Sequence, residues 1–323
     1  MNFMNKLFDP QNHVFELARM GQRLPPGPAA VALSFVFVLA AQFAGGLPAI
    51  FLVVALSLGE AGQAVALERP EDLMQLALPD TALELTILLI LSFAPIFLLL
   101  WGWLKWYEKR PFWTLGLEGR GAWFYYLRGL LAGLVMFAAS VGVSAALGFM
   151  AVEEPSAQPQ GLAALGGVLL IFVGWTVQGP AEEALARGWL LPVIGARHKP
   201  LWGIIVSAVV FAVYHSLNPN VSPVAFVNLF LFGLFTALYV LYEGGLWGVF
   251  GIHAAWNWAQ GNLFGLEVSG TPPAGGTLFN LMEAGPDVIT GGLFGPEGGL
   301  AVTVVLLVSS AVIWLISERG SRK

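Results

Sequence analysis

Residues Gly179–Leu190 read GPAEEALARGWL, placing two adjacent carboxylates and a guanidinium between apolar runs that otherwise exclude charge. Of the 323 residues, 57% are hydrophobic and only 11% charged, against about 25% charged in an ordinary soluble domain. Apolar runs recur at about the 20 residues that a helix needs to cross a hydrocarbon core of about 30 Å. They lack the alternation of a transmembrane barrel strand. Lipid offers no partner for backbone N–H and C=O groups, so helices that satisfy their own are expected. The composition therefore predicts an all-α, polytopic membrane helical bundle with the EExxxR stretch at membrane depth. There an ionisable side chain costs at least a few kcal/mol and marks a functional site by default.

Apolar runs predict about eight spans, near 29–58, 82–104, 124–149, 161–194, 200–216, 222–242, 244–264 and 299–316. The first is interrupted by Gly45, Gly46 and Pro48 and is expected to be broken or kinked. Lysine and arginine concentrate on the cytoplasmic side of membrane proteins. Lys6, Arg19, Arg23, Lys105, Lys109, Arg110, Arg120, Arg128, Arg187, Arg197, Lys199, Arg319, Arg322 and Lys323 fall on one side, and of the 15 basic residues Arg69 alone falls on the other. Glu60, Glu68, Glu71, Asp72, Asp80, Glu153, Glu154, Glu267, Glu283, Asp287 and Glu297 occupy the loops of that other side. Both termini are accordingly expected in the cytoplasm, a parity that eight spans satisfy.

The expected organisation is a cytoplasmic segment 1–28, helices one to three within 29–150, a core of helices four to seven within 151–264, a Gly/Pro-rich loop 265–298, and a last helix with tail over 299–323. The N-terminal segment is polar, weakly amphipathic near Val14–Met20, and lacks the pattern of a removable signal peptide. Internal repeats and soluble domains are not evident. The loop, with SGTPPAGGT and GGLFGPEGG, reads as irregular and external. Without cysteine the chain has no disulfide, thiolate nucleophile or thiolate metal site. Abundant Ala, Gly and Pro with little Lys point to a bacterium of high genomic GC, hence to the inner membrane. The lipid bilayer and a membrane-associated protein or peptide are the expected partners, nucleic acid is not, and oligomeric state is left open.

Three stretches carry polar groups at depth. In Glu182-Glu183-xxx-Arg187, Glu183 and Arg187 stand four apart and share a helix face, whereas Glu182 is rotated about 100° from Glu183 and left free. Phe211 and His215, and His253 and Asn257, repeat the spacing of four. If Arg197–Lys199 marks a cytoplasmic turn, Glu182 and His215 both lie roughly 22–24 Å from it, and His253 and Asn257 about 15 and 21 Å into their span. Each pattern alone has a plain reading: a histidine as a structural hydrogen-bonding group, the Glu183–Arg187 pair as a clamp. Trp101, Trp103, Trp106, Trp189, Trp247, Trp256 and Trp258 read as interfacial belt or packing. Coincidence of an acid, two imidazoles and an amide at matched depth in three helices favours a shared polar chamber.

In such a chamber a carboxylate beside a neutral imidazole can hold and deprotonate water. His253 and Asn257 can then donate to the oxyanion formed when that water attacks a carbonyl. Glu182, His215 and His253 also compose a His2Glu ligand set for Zn2+ with an open water position, so a metal-held and a carboxylate-held water both stand. There is no HExxH and no GxSxG, and no pair of intramembrane aspartates to share a proton. A non-catalytic scaffold or immunity protein and a proton- or ion-coupled transporter are the competing classes. The transporter lacks the repeats and paired broken helices expected of it.

At these residues the chain resembles the CAAX protease and bacteriocin-processing (CPBP, or Abi) family of intramembrane proteases, which is marked by EExxxR, FxxxH and HxxxN in that order. The resemblance implies a CAAX-type protease, glutamate- or metal-dependent. It implies Glu182 and His215 as activators of water and His253 and Asn257 as stabilisers of the transition state or further ligands. Glu183, Arg187 and Phe211 become structural support. The depth reckoning puts the pocket nearer the external side, whereas a CAAX-type substrate presents its end from the cytoplasm.

Overall fold

The computed structural model of the chain describes residues 6–61, 77–153 and 158–321. Glu68, Arg69, Glu71, Asp72, Glu154, Arg322 and Lys323 of the charge pattern lie outside them, as does the side chain of Glu60. Among the described residues seven helical segments are long and apolar enough to cross a membrane: Gly27–Gly59, Ala82–Glu108, Ala122–Ala146, Gly161–Arg197, Pro200–Leu217, Pro223–Glu243 and Leu300–Arg319. Apart from these, the described chain holds short helices, loops and one two-stranded sheet. The fold is the polytopic helical bundle that the composition predicts.

The expected span over 244–264 is a helix but does not belong to that set. It consists of α10 (Trp247–Trp258) continued by a π-helical turn, Ala259–Phe264. His253, Asn257, Gln260 and Asn262 are all buried along it, so its polar groups are sheathed by protein instead of meeting lipid. That is why its composition falls short of a lipid-facing span.

The N-terminal segment forms a short helix, α1 (His13–Arg19), which docks on the bundle through Val14, Phe15, Leu17 and Ala18. Asn12 caps it, accepting from the Val14 N–H, and its amide donates to the Leu241 carbonyl. The first span is broken where glycine and proline interrupt it: α2 (Gly27–Ala41) passes through a π turn, Gln42–Gly46, into α3 (Leu47–Ala61). Pro48 has no N–H to return to the carbonyl four residues back. Gly45 stands so close to the next helix that an added Cβ would lie 1.8 Å from the Leu91 carbonyl oxygen.

That next helix, α4 (Ala82–Trp103), starts in a capping box. Thr81 Oγ1 accepts from the Glu84 N–H, and the Glu84 carboxylate accepts from the Thr81 N–H. It ends in the π turn Leu104–Glu108. α5 (Ala122–Ala146) then packs against α10, with the two backbones in close approach at Gly129 and Gly133. A Cβ on Gly129 or Gly133 would come within 2.0 Å of the Gly248 carbonyl oxygen or 2.3 Å of that of Ile252, the close approach that small residues four apart permit in membrane helices.

The remaining core is α6 (Leu165–Glu183), a π turn Ala184–Leu190, α7 (Leu191–Arg197), α8 (Pro200–Tyr214) and α9 (Pro223–Glu243). α11 (Leu300–Ser321) closes the bundle beside α9. Of the tryptophans read as belt or packing, Trp101 and Trp106 are exposed whereas Trp189 and Trp256 are fully buried.

The 265–298 segment is ordered by specific contacts. Strand β2 (Leu281–Glu283) pairs antiparallel with β1 (Met150–Val152), Ala151 opposite Met282. Asn262 donates to the carbonyls of Ala274 and Gly276. Its glycines are needed for backbone shape: Gly275 and Gly276 have φ of 74° and 102°, values that disfavour any residue with a Cβ.

Candidate active site

Three helix ends converge on one cavity of about 480 Å³. Glu182 comes from the end of α6, His215 from the turn that follows α8, and His253 and Asn257 from α10. All four line the cavity. α6 and α10 approach closely because position 179 is glycine; a Cβ there would sit 3.0 Å from His253 Cγ and 3.1 Å from the Ala254 nitrogen.

The two adjacent glutamates have different surroundings, as their rotation about the helix requires. Glu183 is fully buried, with Oε1 3.0 Å from His253 Nδ1 and 3.3 Å from Arg187 Nη1. Arg187, also fully buried, lies with its guanidinium 4.2 Å from the centre of the Phe211 ring, a cation–π contact of the desolvated kind. Glu183 therefore does more than clamp Arg187: it orients an imidazole of the cavity. Glu182 faces the cavity, and its Oε2 is 3.8 Å from His215 Nε2 and 3.8 Å from His253 Nε2. That oxygen is buried and has no hydrogen-bond partner.

The imidazole tautomers follow from their other nitrogens. His215 Nδ1 lies 2.9 Å from the Phe211 carbonyl oxygen. A carbonyl only accepts, so Nδ1 carries the proton and a neutral His215 presents the Nε2 lone pair toward Glu182. His253 Nδ1 likewise donates to the Glu183 carboxylate. Its Nε2 is a lone pair when the ring is neutral and a donor when it is imidazolium.

Gln178 carries no sequence signal of its own beyond standing four residues before Glu182. Its amide Nε2 donates to Glu182 Oε1 at 2.8 Å, and its Oε1 accepts from Asn257 Nδ2 at 2.8 Å. A lone glutamine in an apolar run has many plain explanations, and only the arrival of α10 beside it shows what it joins.

Opposite these groups the cavity is walled by the 265–298 segment, with Val268, Ser269 and Thr271–Ala274 on its lining. Glu297 holds that wall, accepting from Trp256 Nε1 and from both the N–H and the hydroxyl of Ser269. The apolar side of the cavity comes from α2–α4 and includes Val38, Ile50, Leu88 and Phe93.

Glu182, His215 and His253, the His2Glu set that the sequence allows, meet at the cavity with Glu182 Oε2 3.8 Å from each imidazole Nε2. Among the described residues no group of three His, Asp or Glu side chains is placed to hold a metal ion. Bonds of about 2.0–2.1 Å to zinc would put tetrahedral donor atoms roughly 3.3 Å apart, closer than the two 3.8 Å separations here. Chemically, the arrangement offers an unpartnered carboxylate oxygen, two imidazole nitrogens and an amide around a space suited to water and a polar reactant.

The family model described as Type II CAAX prenyl endopeptidase Rce1-like matches residues 164–259, which run from the start of α6 to the end of α10 and contain every residue named above as converging on the cavity. No curated protein and no solved structure gives a significant match to the chain. Over that segment the chain is similar to the Type II CAAX prenyl endopeptidase Rce1-like family, the kind of membrane-embedded protease that its three motifs resemble.

Proposed function

We propose that the protein is an intramembrane endopeptidase that hydrolyses a peptide bond of a membrane-associated protein or peptide with a water activated by Glu182 and His215. The observation that carries this reading is the free Glu182 oxygen facing two imidazole nitrogens at 3.8 Å. Each gap is too long for a direct hydrogen bond and is suited to one intervening water.

In the proposed reaction the water is held between Glu182 Oε2 and His215 Nε2. Glu182 takes a proton as the water oxygen bonds to the carbonyl carbon, and the carbonyl oxygen becomes an oxyanion. Asn257 donates to that oxyanion. His253 donates from Nε2 as imidazolium, its Nδ1–H anchored on Glu183. The tetrahedral intermediate then collapses, the C–N bond breaks, and the proton held by Glu182 passes to the leaving nitrogen. The products are a carboxylic acid and an amine, and the acid's proton passes to the amine to leave carboxylate and ammonium.

The cavity that receives the substrate lies within the bundle, with aliphatic walls from α2–α4, so a chain presented from lipid is the reactant it suits. The one-sided distribution of basic residues supports cytoplasmic termini, and the Ala-, Gly- and Pro-rich, Lys-poor composition supports a bacterial inner membrane; in that orientation the 265–298 wall faces outward. The test is hydrolysis of a fluorogenic prenylated CAAX peptide by the purified chain in proteoliposomes. Glu182→Gln is expected to abolish it with the thermal midpoint unchanged, and wild-type cleavage persisting in that variant overturns the mechanism.

A further inference from the structure

Resting on the hydrolase reading above, we infer that Gln178 is a positioning residue that aims the free oxygen of Glu182 and ties it to Asn257. Gln178 and Glu182 are one helical turn apart, which puts both side chains on the same face of α6. Gln178 is 7% exposed and Asn257 4%, so neither amide has bulk water as an alternative partner.

The polarity of the chain is forced by chemistry. An ionised carboxylate only accepts, so Glu182 Oε1 must meet the NH2 of Gln178. The amide oxygen of Gln178 is then turned away from Glu182 and toward α10, where it accepts from Asn257. One N–H of Asn257 is spent in that bond, and the second remains for the cavity that Asn257 lines. Asn257 and Glu182 belong to different helices, and Gln178 links them through two hydrogen bonds of 2.8 Å.

Two consequences follow. With Oε1 held, the carboxylate plane of Glu182 cannot turn freely, and Oε2 stays before His215 and His253. The group that takes the proton and an amide that meets the oxyanion are also set by a single side chain, so a displacement of one is felt by the other. Loss of such alignment falls on the chemical step, and errors of about 1 Å cost on the order of 100-fold in rate.

The experiment uses the full chain in proteoliposomes with the fluorogenic prenylated CAAX peptide. Gln178→Met keeps the length and removes both hydrogen bonds. The expected result is a fall in kcat of about 10- to 100-fold with KM within about twofold and an unchanged thermal midpoint. Gln178→Asn keeps an amide on a shorter stem and is expected not to restore the rate. The Gln178→Met, Asn257→Ala double variant should lose less than the product of the two single losses, because the part of each loss that runs through the shared chain of bonds is counted once. A Gln178→Met enzyme with the wild-type kcat, or a double variant whose losses multiply, overturns the inference. Equal rates in the wild type and the Glu182→Gln variant overturn the hydrolase reading itself, a result that the Gln178 series on its own cannot produce.

Discussion

Two carboxylates border the π turn Ala184–Leu190, Glu182 just before it in the chain and Glu108 bonded to Trp189 within it, and their surroundings differ. Glu108, at the end of the π turn after α4, is fully buried and bonded at both oxygens. Its Oε1 accepts from Trp103 Nε1 and from Trp189 Nε1, and its Oε2 accepts from Arg110 Nε at 2.6 Å. Arg110 in turn donates to the carbonyl and the hydroxyl of Thr114. Glu182 has one oxygen held by Gln178 and the other left without a partner beside two imidazoles. Both oxygens of Glu108 have partners, whereas Glu182 keeps one oxygen with none. A buried carboxylate bonded at both oxygens fixes architecture, and one with a free oxygen facing a cavity is what chemistry requires.

The sharpest way to break this contrast is to remove each acid in turn. Glu182→Ala should lower the rate of peptide hydrolysis by at least about 100-fold, the smallest contribution expected of a general base, and leave the thermal midpoint in place. Glu108→Ala should do the reverse in kind: removing one partner of a buried pair costs about 3–5 kcal/mol, visible as a large drop in the unfolding midpoint. Equal thermal losses in the two variants would erase the distinction.

A smaller effect is expected where the site depends on helix approach. Gly133→Val puts side-chain atoms where the Ile252 carbonyl stands and pushes α10 away from α5. Overpacking of this kind costs about 1–3 kcal/mol, and the shift of His253 and Asn257 should lower kcat as well. Wild-type kcat together with a lowered midpoint would show that the site tolerates the shift.

A pH effect concerns the 265–298 wall. Burial, with the like charge of Glu267 nearby, pushes the Glu283 carboxyl from 4.5 up to about 7. The folded state therefore holds this proton more tightly than the unfolded one does. Stability is greatest below about pH 4.5, declines as pH rises, and levels off above about pH 7, where both states are ionised. Hydrogen exchange of the β1–β2 pair should quicken across that window, and Glu283→Gln should flatten the dependence. A pair whose protection is constant from pH 5 to 8 in the wild type would contradict this assignment.

Much of this was legible beforehand, for reasons that particular residues make plain. The Gln42–Gly46 break was readable because Gly45, Gly46 and Pro48 weaken a helix wherever they occur. Glu182, His215, His253 and Asn257 stood out because polar groups are costly in lipid, and the offset between adjacent helical positions separated Glu182 from Glu183 before any contact was known. The 244–264 span reads as an apolar run like the others, since a one-dimensional pattern cannot tell a helix sheathed by protein from one facing lipid. Gln178 and Glu108 lacked a signal because their partners, Asn257 and Trp189, are 79 and 81 residues away. The 265–298 segment read as irregular because turns and pairings between distant residues leave no periodicity.

The sequence by itself determined that the chain enters a membrane as helices and which side chains would pay for being there, because transfer from water to lipid acts on each residue where it stands. Tertiary structure decided which oxygen of which glutamate is left free, which imidazole nitrogen meets it, and that an amide from another helix completes the set. Those are matters of distance between segments far apart in the chain, and hydrogen bonds fall away within fractions of an ångström.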